Sequence, residues 1–302
     1  MRNPGAARIA AAALAALACV AFAQGPAPRE GESMKGQVVL VTGSTDGLGR
    51  EVARRAAAAG AHVIVHGRNA ERGNALVQEI GKQGKGSARF YAADLASLAQ
   101  VRQLADAVRR DHKRLDVLVN NAGVWIQGPR QTSADGHELH LAVNYLSGFL
   151  LTRLLLPLIE SSAPSRIVNV ASGSQSPIDF SDVMLTRPGR ASQGYGQSKL
   201  AQVMFTFDLA RELEGKGVTV VALHPATMMD TTMVRASGMP SMSTVDEGAR
   251  AVMNLVAGRD IPSGQYFSGL RPSRAQAQAY DEGARARLKA LSLELTGLPA
   301  RQ

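Results

Sequence analysis

The feature that most restricts this 302-residue chain is a rhythm of short apolar runs, each ending on glycine or small polar residues and followed by a longer stretch suited to a helix. The runs are Gln37–Val41, His62–Val65, Ala88–Ala92, Leu115–Val119, Arg166–Val170, Val218–Leu223 and Gly264–Ser268. A strand covered on both faces reads as nearly continuous apolar sequence, because neither side meets water. Strands alternating with helices at this pace predict an α/β fold: one doubly wound parallel β-sheet with helices on both faces. Such sheets bind ligands beyond the carboxyl ends of their strands. The polar motifs of this chain lie at those ends.

The first run leads into Thr42-Gly43-Ser44-Thr45-Asp46-Gly47-Leu48-Gly49, and a helical stretch, Arg50–Ala59, follows. Strand, glycine-rich turn and helix N-terminus together make an anion site, with free amides and the helix dipole facing a pyrophosphate. The spacing is G-x-x-x-G-x-G rather than G-x-G-x-x-G. The second run ends at His66-Gly67-Arg68-Asn69, without the acid that would hold the ribose hydroxyls of NAD. Arg68 stands there for a 2′-phosphate, which favours NADP(H) with NAD(H) as the alternative; Asp46 works mildly against a phosphate.

Residues 69–83 read as a helix, and another runs from the third strand to about His112. Asp94-Leu95 follow the third strand, and Asn120-Asn121-Ala122-Gly123 end the fourth. A long helix then carries Asn144 and runs to about Glu160. The fifth strand ends in Ala171-Ser172-Gly173 and the sixth in His224-Pro225-Ala226. Tyr195-Gly196-Gln197-Ser198-Lys199 places a phenol and an ammonium on one helix face. An ammonium beside a phenol favours phenolate, and a phenol tuned toward neutral pH can pass a proton to or from a carbonyl or alcohol oxygen.

Residues 1–33 differ from the rest. Arg2 and Arg8 precede an uncharged run, Ile9–Pro28, that contains Ala21-Phe22-Ala23 before Gln24. This predicts a signal peptide over 1–23, a linker over 24–34, and export to the periplasm with no stable membrane span in the mature chain. The alternative is a cytoplasmic protein whose translation starts at Met34. Cys19, the only cysteine, lies in that leader, so no disulfide or cysteine-based metal site is expected in the folded part. The net charge of +9 is scattered among acids without interleaved aromatics, which argues against nucleic acid as a partner. His137, Glu138 and His140 lack the H-E-x-x-H spacing of a zinc helix and read as helix-surface residues; no metal site is expected. Ser172 lacks the G-x-S-x-G elbow of a hydrolase.

Taken in order, the glycine loop, Asp94-Leu95, Asn120–Gly123, Asn144, Ser172, Tyr195 and Lys199 make the chain resemble a classical short-chain dehydrogenase/reductase of Rossmann type over residues 35–298. Asp135-Gly136-His137-Glu138, Phe149-Leu150-Leu151-Thr152, the long interval from Ser172 to Tyr195, Gly264-Gln265-Tyr266-Phe267 and Leu295-Thr296-Gly297-Leu298 resemble the branch like retinol dehydrogenases and WW-domain oxidoreductases. The resemblance implies Tyr195 as general acid or base, Lys199 lowering its pKa and holding the nicotinamide ribose, Ser172 holding the substrate oxygen, and Asn144 holding a water linked to Lys199. It implies a cofactor held by Gly43, Ser44, Thr45, Asp46, Gly47, Leu48, Gly49 and Arg68. Asp94, Leu95, Asn121, Ala122, Gly123, Tyr195, Lys199, Pro225, Ala226 and Thr227 complete that set. A substrate lid is implied over about 226–245, where Met228, Met229, Met233, Met239 and Met242 suit either an apolar pocket or simple packing. Ala171, Ala226 and Met228-Met229-Asp230 depart from the family pattern and argue against carrying over a retinoid substrate. The partner expected is a small-molecule carbonyl or alcohol, and the family is commonly dimeric or tetrameric. The other reading is a catalytically silent cofactor-binding sensor or interaction protein on the same fold.

Overall fold

Alternate residues of the central strands feed two separate apolar layers. In β1 (Val38–Val41), Val39 and Val41 face one layer and Leu40 the other. β4, which spans Val117–Asn120, repeats the pattern with Val117 and Val119 against Leu118. Period-two alternation with both faces apolar is what a doubly covered sheet demands. The computed structural model describes residues 33–299. The signal-peptide assignment and nearly all of the linker lie outside the described residues. Met34, assigned to that linker, is buried in the core, and its amide donates to the Ala59 carbonyl at 2.8 Å.

Between these strands run α1 (Gly47–Ala58), β2 (His62–Gly67), α2 (Ala70–Gln83), β3 (Ser87–Ala92) and α3 (Leu98–Asp111). After β4 come α4 (Ser147–Ser161), β5 (Ser165–Val170), α5 (Gly194–Glu212), β6 (Val218–His224), α6 (Thr232–Ala236), α7 (Val245–Ala257), β7 (Gln265–Ser268), β8 (Arg271–Pro272) and α8 (Glu282–Thr296). The sheet order is β3-β2-β1-β4-β5-β6-β7-β8. Helices α1, α2 and α7 cover one face; α3, α4, α5 and α8 cover the other. The chain winds outward from β1 to β3, then crosses back to β4, and this reversal opens a crevice at the carboxyl ends of β1 and β4.

Seven strands are parallel, as the sequence pattern predicts; β8 is a two-residue antiparallel addition to β7. It folds back through Gly269, whose φ of +58° suits a tight hairpin. The long helix around Asn144 also departs from expectation. Its first turn, Leu141–Leu146, is π-helical, with the Ser147 amide donating to Ala142 five residues back, and regular α4 begins only afterwards. Leu141–Ser161 is apolar and long enough to cross a membrane, but it sits in this fold with 67% of its most apolar window buried.

α5 is buried around almost its whole circumference. Its polar side chains find partners inside the protein, as buried polar groups must. Asn120 donates to Thr152 of α4 at 3.0 Å and to Asn169 of β5 at 2.8 Å, and Asn169 donates to Thr206 of α5 at 2.8 Å. This polar ladder ties β4, β5, α4 and α5 together beneath the crevice.

Candidate active site

The glycine loop is packed from behind. A Cβ on Gly49 would lie 2.4 Å from both the Gly43 carbonyl oxygen and Asn121 Nδ2, and one on Gly43, where φ is +64°, 3.0 Å from the Ala122 Cα. Asn121 clamps the loop by donating from Nδ2 to the Thr42 carbonyl at 2.8 Å, while Thr42 Oγ1 accepts from the Asn121 and Ala122 amides. The amides of Leu48 and Gly49, in the first turn of α1, have no helical acceptor. A turn packed this closely, with two free amides at the start of a helix, fits a dinucleotide pyrophosphate.

One residue that sequence reasoning missed supports this loop. His66 is buried, and its Nδ1 accepts the Gly43 amide at 3.1 Å. Burial holds its pKa down to about 4, so the ring is a neutral acceptor near pH 7. The separation of 23 positions between the partners hides the bond from any local pattern.

Arg68 is 72% exposed, and its Nη1 lies 4.0 Å from Asp94 Oδ2. Asp94 accepts the Ala96 amide at 3.0 Å, and Leu95 is buried behind it. Asp46 accepts the Gly47 amide at 2.8 Å, capping α1, and lies 3.4 Å from Arg72 Nη1. Arg72, which the sequence reading passed over, is thus a second guanidinium at this corner.

Ser172, Tyr195 and Lys199 meet beyond β5. Ser172 Oγ accepts the Ser174 amide at 3.1 Å, and its carbonyl accepts the Tyr266 hydroxyl at 2.9 Å and Gln175 Nε2 at 2.8 Å. Lys199 is buried; its Nζ donates to the Val170 carbonyl at 2.9 Å and to Gln202 Oε1 at 3.0 Å. Burial lowers its pKa to about 7. Nζ is 5.8 Å from the Tyr195 ring centroid. The expected lowering of the tyrosine pKa does not appear. Burial pushes the phenol up, partly offset by a hydrogen bond with Ser172, and the two hydrogen bonds that Lys199 makes both go elsewhere.

Asn144 Nδ2 donates to the Val124 carbonyl at 3.1 Å and to Ser198 Oγ at 2.9 Å, while Oδ1 accepts the Val124 amide at 2.7 Å. A Cβ on Gly123 would sit 3.3 Å from Asn144 Oδ1 and 3.5 Å from Lys199 Nζ, so glycine keeps this floor open.

Glu138 and His140 correct the sequence reading, which put them on a helix surface. Both are buried, with His140 Nδ1 2.8 Å from Glu138 Oε1. They sit beside Tyr195, where no metal-like spacing announces them.

Pro225, Ala226 and Thr227 follow β6, and Thr227 Oγ1 is 2.9 Å from His224 Nε2. The segment beyond is pinned at its base, where the Met242 amide donates to Met228 and the Asp230 amide to Ser243. Met229 packs against Leu48, Gly248 and the α1/α7 layer, whereas Met239 and Met242 are exposed.

Residues 37–240 match a family described as short chain dehydrogenase. Human retinol dehydrogenase 11 is 37% identical over 279 residues, covering 88% of this chain and 87% of that protein. A solved protein from Mycobacterium paratuberculosis is similar with a TM-score of 0.75 and 30% identity, covering 89% of this chain and 97% of that one. A short chain dehydrogenase from Burkholderia cenocepacia J2315, solved in complex with NADP, is similar with a TM-score of 0.64 and 29% identity over 78% of this chain and 96% of that one.

Proposed function

The chain belongs to the short chain dehydrogenase family, and from that premise we propose a nicotinamide-dependent oxidoreductase that interconverts an apolar carbonyl compound and its primary or secondary alcohol, with NADP(H) favoured. The observation that carries the reading is the meeting of Ser172, Tyr195 and Lys199 beyond β5, with Asn144 and Lys199 sharing the open floor at Gly123. Arg68 and Arg72 at the corner beyond β2 support NADP(H), as does likeness to a relative solved with NADP. The segment over 226–245 is assigned as the substrate lid.

When bound, the nicotinamide supplies or accepts the hydride and leaves the chain to move the proton. Tyr195 donates that proton to the carbonyl oxygen in reduction, and its raised pKa keeps the phenol protonated for the task. Ser172 Oγ accepts an amide, and its hydroxyl proton, directed at the Tyr195 oxygen, is the one it turns to the substrate oxygen and the charge developing there. Two protons of Lys199 are engaged within the chain, and the third serves the ribose and the phenol on the side that Gly123 leaves open. Asn144 Oδ1 retains one acceptor position on that floor, which suits a water bridging to Lys199.

The test is reduction of a panel of apolar aldehydes and ketones with NADPH and NADH, in wild type and Tyr195→Phe. The variant is expected to bind NADPH within a few-fold of wild type while turnover falls by about 10³. Unchanged turnover would remove Tyr195 from the mechanism. NADPH binding without turnover on any member of the panel would instead favour the silent sensor.

A further inference from the structure

Glu138 and His140 have no part in the chemistry proposed above, yet they occupy a costly position. A carboxylate is rarely buried without good partners, and that of Glu138 has two: the His140 ring on Oε1 and the Leu141 amide at 2.7 Å on Oε2. The other ring nitrogen of His140, Nε2, accepts the Ile126 amide at 3.0 Å. A nitrogen that accepts from an amide carries no proton, so the ring is neutral with its proton on Nδ1, aimed at Glu138. One turn further along the same helix, Asn144 grips both backbone groups of Val124. The segment Val124–Ile126 is therefore pinned at both ends to the π-helical turn, with Trp125 between the pins.

The Trp125 ring lies 6.0 Å from the Tyr195 ring, and the His140 ring meets Tyr195 edge-on at 6.3 Å and 85°. Tyr195 is thus near both the imidazole and the indole. The preceding residue, Gly194, completes the fit: a Cβ there would lie 2.7 Å from His140 Nδ1 and 2.8 Å from Glu138 Oε1. The pair touches the loop after β4, the π turn and the start of α5, the element that carries Tyr195.

We propose that Glu138 and His140 are a buried positioning pair that clamps Trp125 beside Tyr195, making the indole an aromatic wall of the substrate site that selects extended apolar carbonyl compounds over small ones. The inference rests on the reading of Tyr195 as the residue that serves the substrate. His140 touches no reacting atom in this account; it acts through the Val124–Ile126 loop.

Trp125 is the chain's single tryptophan, so intrinsic fluorescence reports the wall directly and needs no turnover. In His140→Leu, which lacks an acceptor for Ile126, acrylamide quenching of Trp125 is expected to rise at least about twofold as the loop loosens. Its KM for a long-chain aldehyde should rise by about tenfold, with kcat less affected and NADPH affinity unchanged. His140→Gln, whose amide both accepts and donates, should restore most of the quenching and KM. A folded His140→Leu protein with wild-type quenching and KM would overturn the clamp. Should that variant fail to fold, Trp125→Ala decides: its preference for long-chain over two-carbon aldehyde is expected to fall by about tenfold, and an unchanged preference would overturn the wall. Altered quenching in His140→Leu, with wild type inactive on every carbonyl tried, would uphold the clamp and discard the reading of Tyr195.

Discussion

The two ends of the crevice are built by different means. At the β1 end the proposed ligand surface is a glycine-rich turn whose Leu48 and Gly49 amides lack helical acceptors, with His66 holding the Gly43 amide and Asn121 clamping the turn from behind. At the β5 end the groups proposed for the chemistry are side chains, and they rest on a buried polar ladder from Asn120 through Asn169 and Thr206 to α5. Backbone cradles need little more than the right φ angles and close packing. A lysine buried among apolar layers needs every neighbour placed, because each unmet donor in a low-dielectric interior is expensive. Rigidity is local at one end and long-range at the other.

Lys199→Met should expose that contrast most strongly. Turnover is expected to fall by about 10³ while NADPH still docks on the glycine cradle. Stability should move the opposite way with pH. The folded lysine titrates near 7 against about 10.4 when unfolded, so the unfolded chain binds more protons between those values, and wild-type stability rises as pH rises. The Met variant, which lacks this burden, should gain on wild type by about 3 kcal/mol as pH falls from 9.5 to 7. Denaturant midpoints of both proteins at the two pH values check it; parallel curves would mean that the amine is better solvated than its burial implies.

His66 offers the matching test at the cradle. Its folded pKa, near 4, lies below the unfolded value of about 6.5. The stability it confers is therefore present above pH 6.5 and lost as pH falls toward 4, by about 2–3 kcal/mol between pH 7.5 and 4.5. Melts of wild type and His66→Gln across that window should diverge by this amount.

Thr206→Val cuts the ladder and leaves the Asn169 amide without its acceptor. Unfolding free energy should drop by about 1–2 kcal/mol, with NADPH affinity unchanged; a change in cofactor affinity would show that the two ends are mechanically joined. The smallest effect is reserved for the rim. Removing both Arg68 and Arg72 by alanine substitution should reduce the preference for NADPH over NADH by about tenfold, read from the ratio of dissociation constants.

The same contrast explains what the sequence could tell. The strands, the glycine loop and the Tyr195–Lys199 pair are written within a few neighbouring residues, where period, turn chemistry and helical spacing can be read directly. The support for His66 on Gly43, Gln202 on Lys199 and Tyr266 on Ser172 is not written that way. Gln202 is three residues from Lys199, but only the burial of α5 turns its amide inward. Glu138 and His140 misled the reading because charged residues before a helix are ordinarily solvated; here the loop carrying Trp125 folds over them. The π-helical turn left no mark in the sequence either, since Leu141–Leu146 is apolar enough for a regular helix and the grip of Asn144 on Val124, twenty positions away, has no local pattern.

The corner where Asp46 caps α1 and reaches Arg72 bears on salt dependence. A phosphate arriving there is a second anion seeking a guanidinium that already has one. Exchanging one anion for another releases fewer counterions than neutralising a bare cation, and both interactions are screened by the same salt. Cofactor affinity at this corner should therefore vary with ionic strength less steeply than the net charge of +9 would suggest.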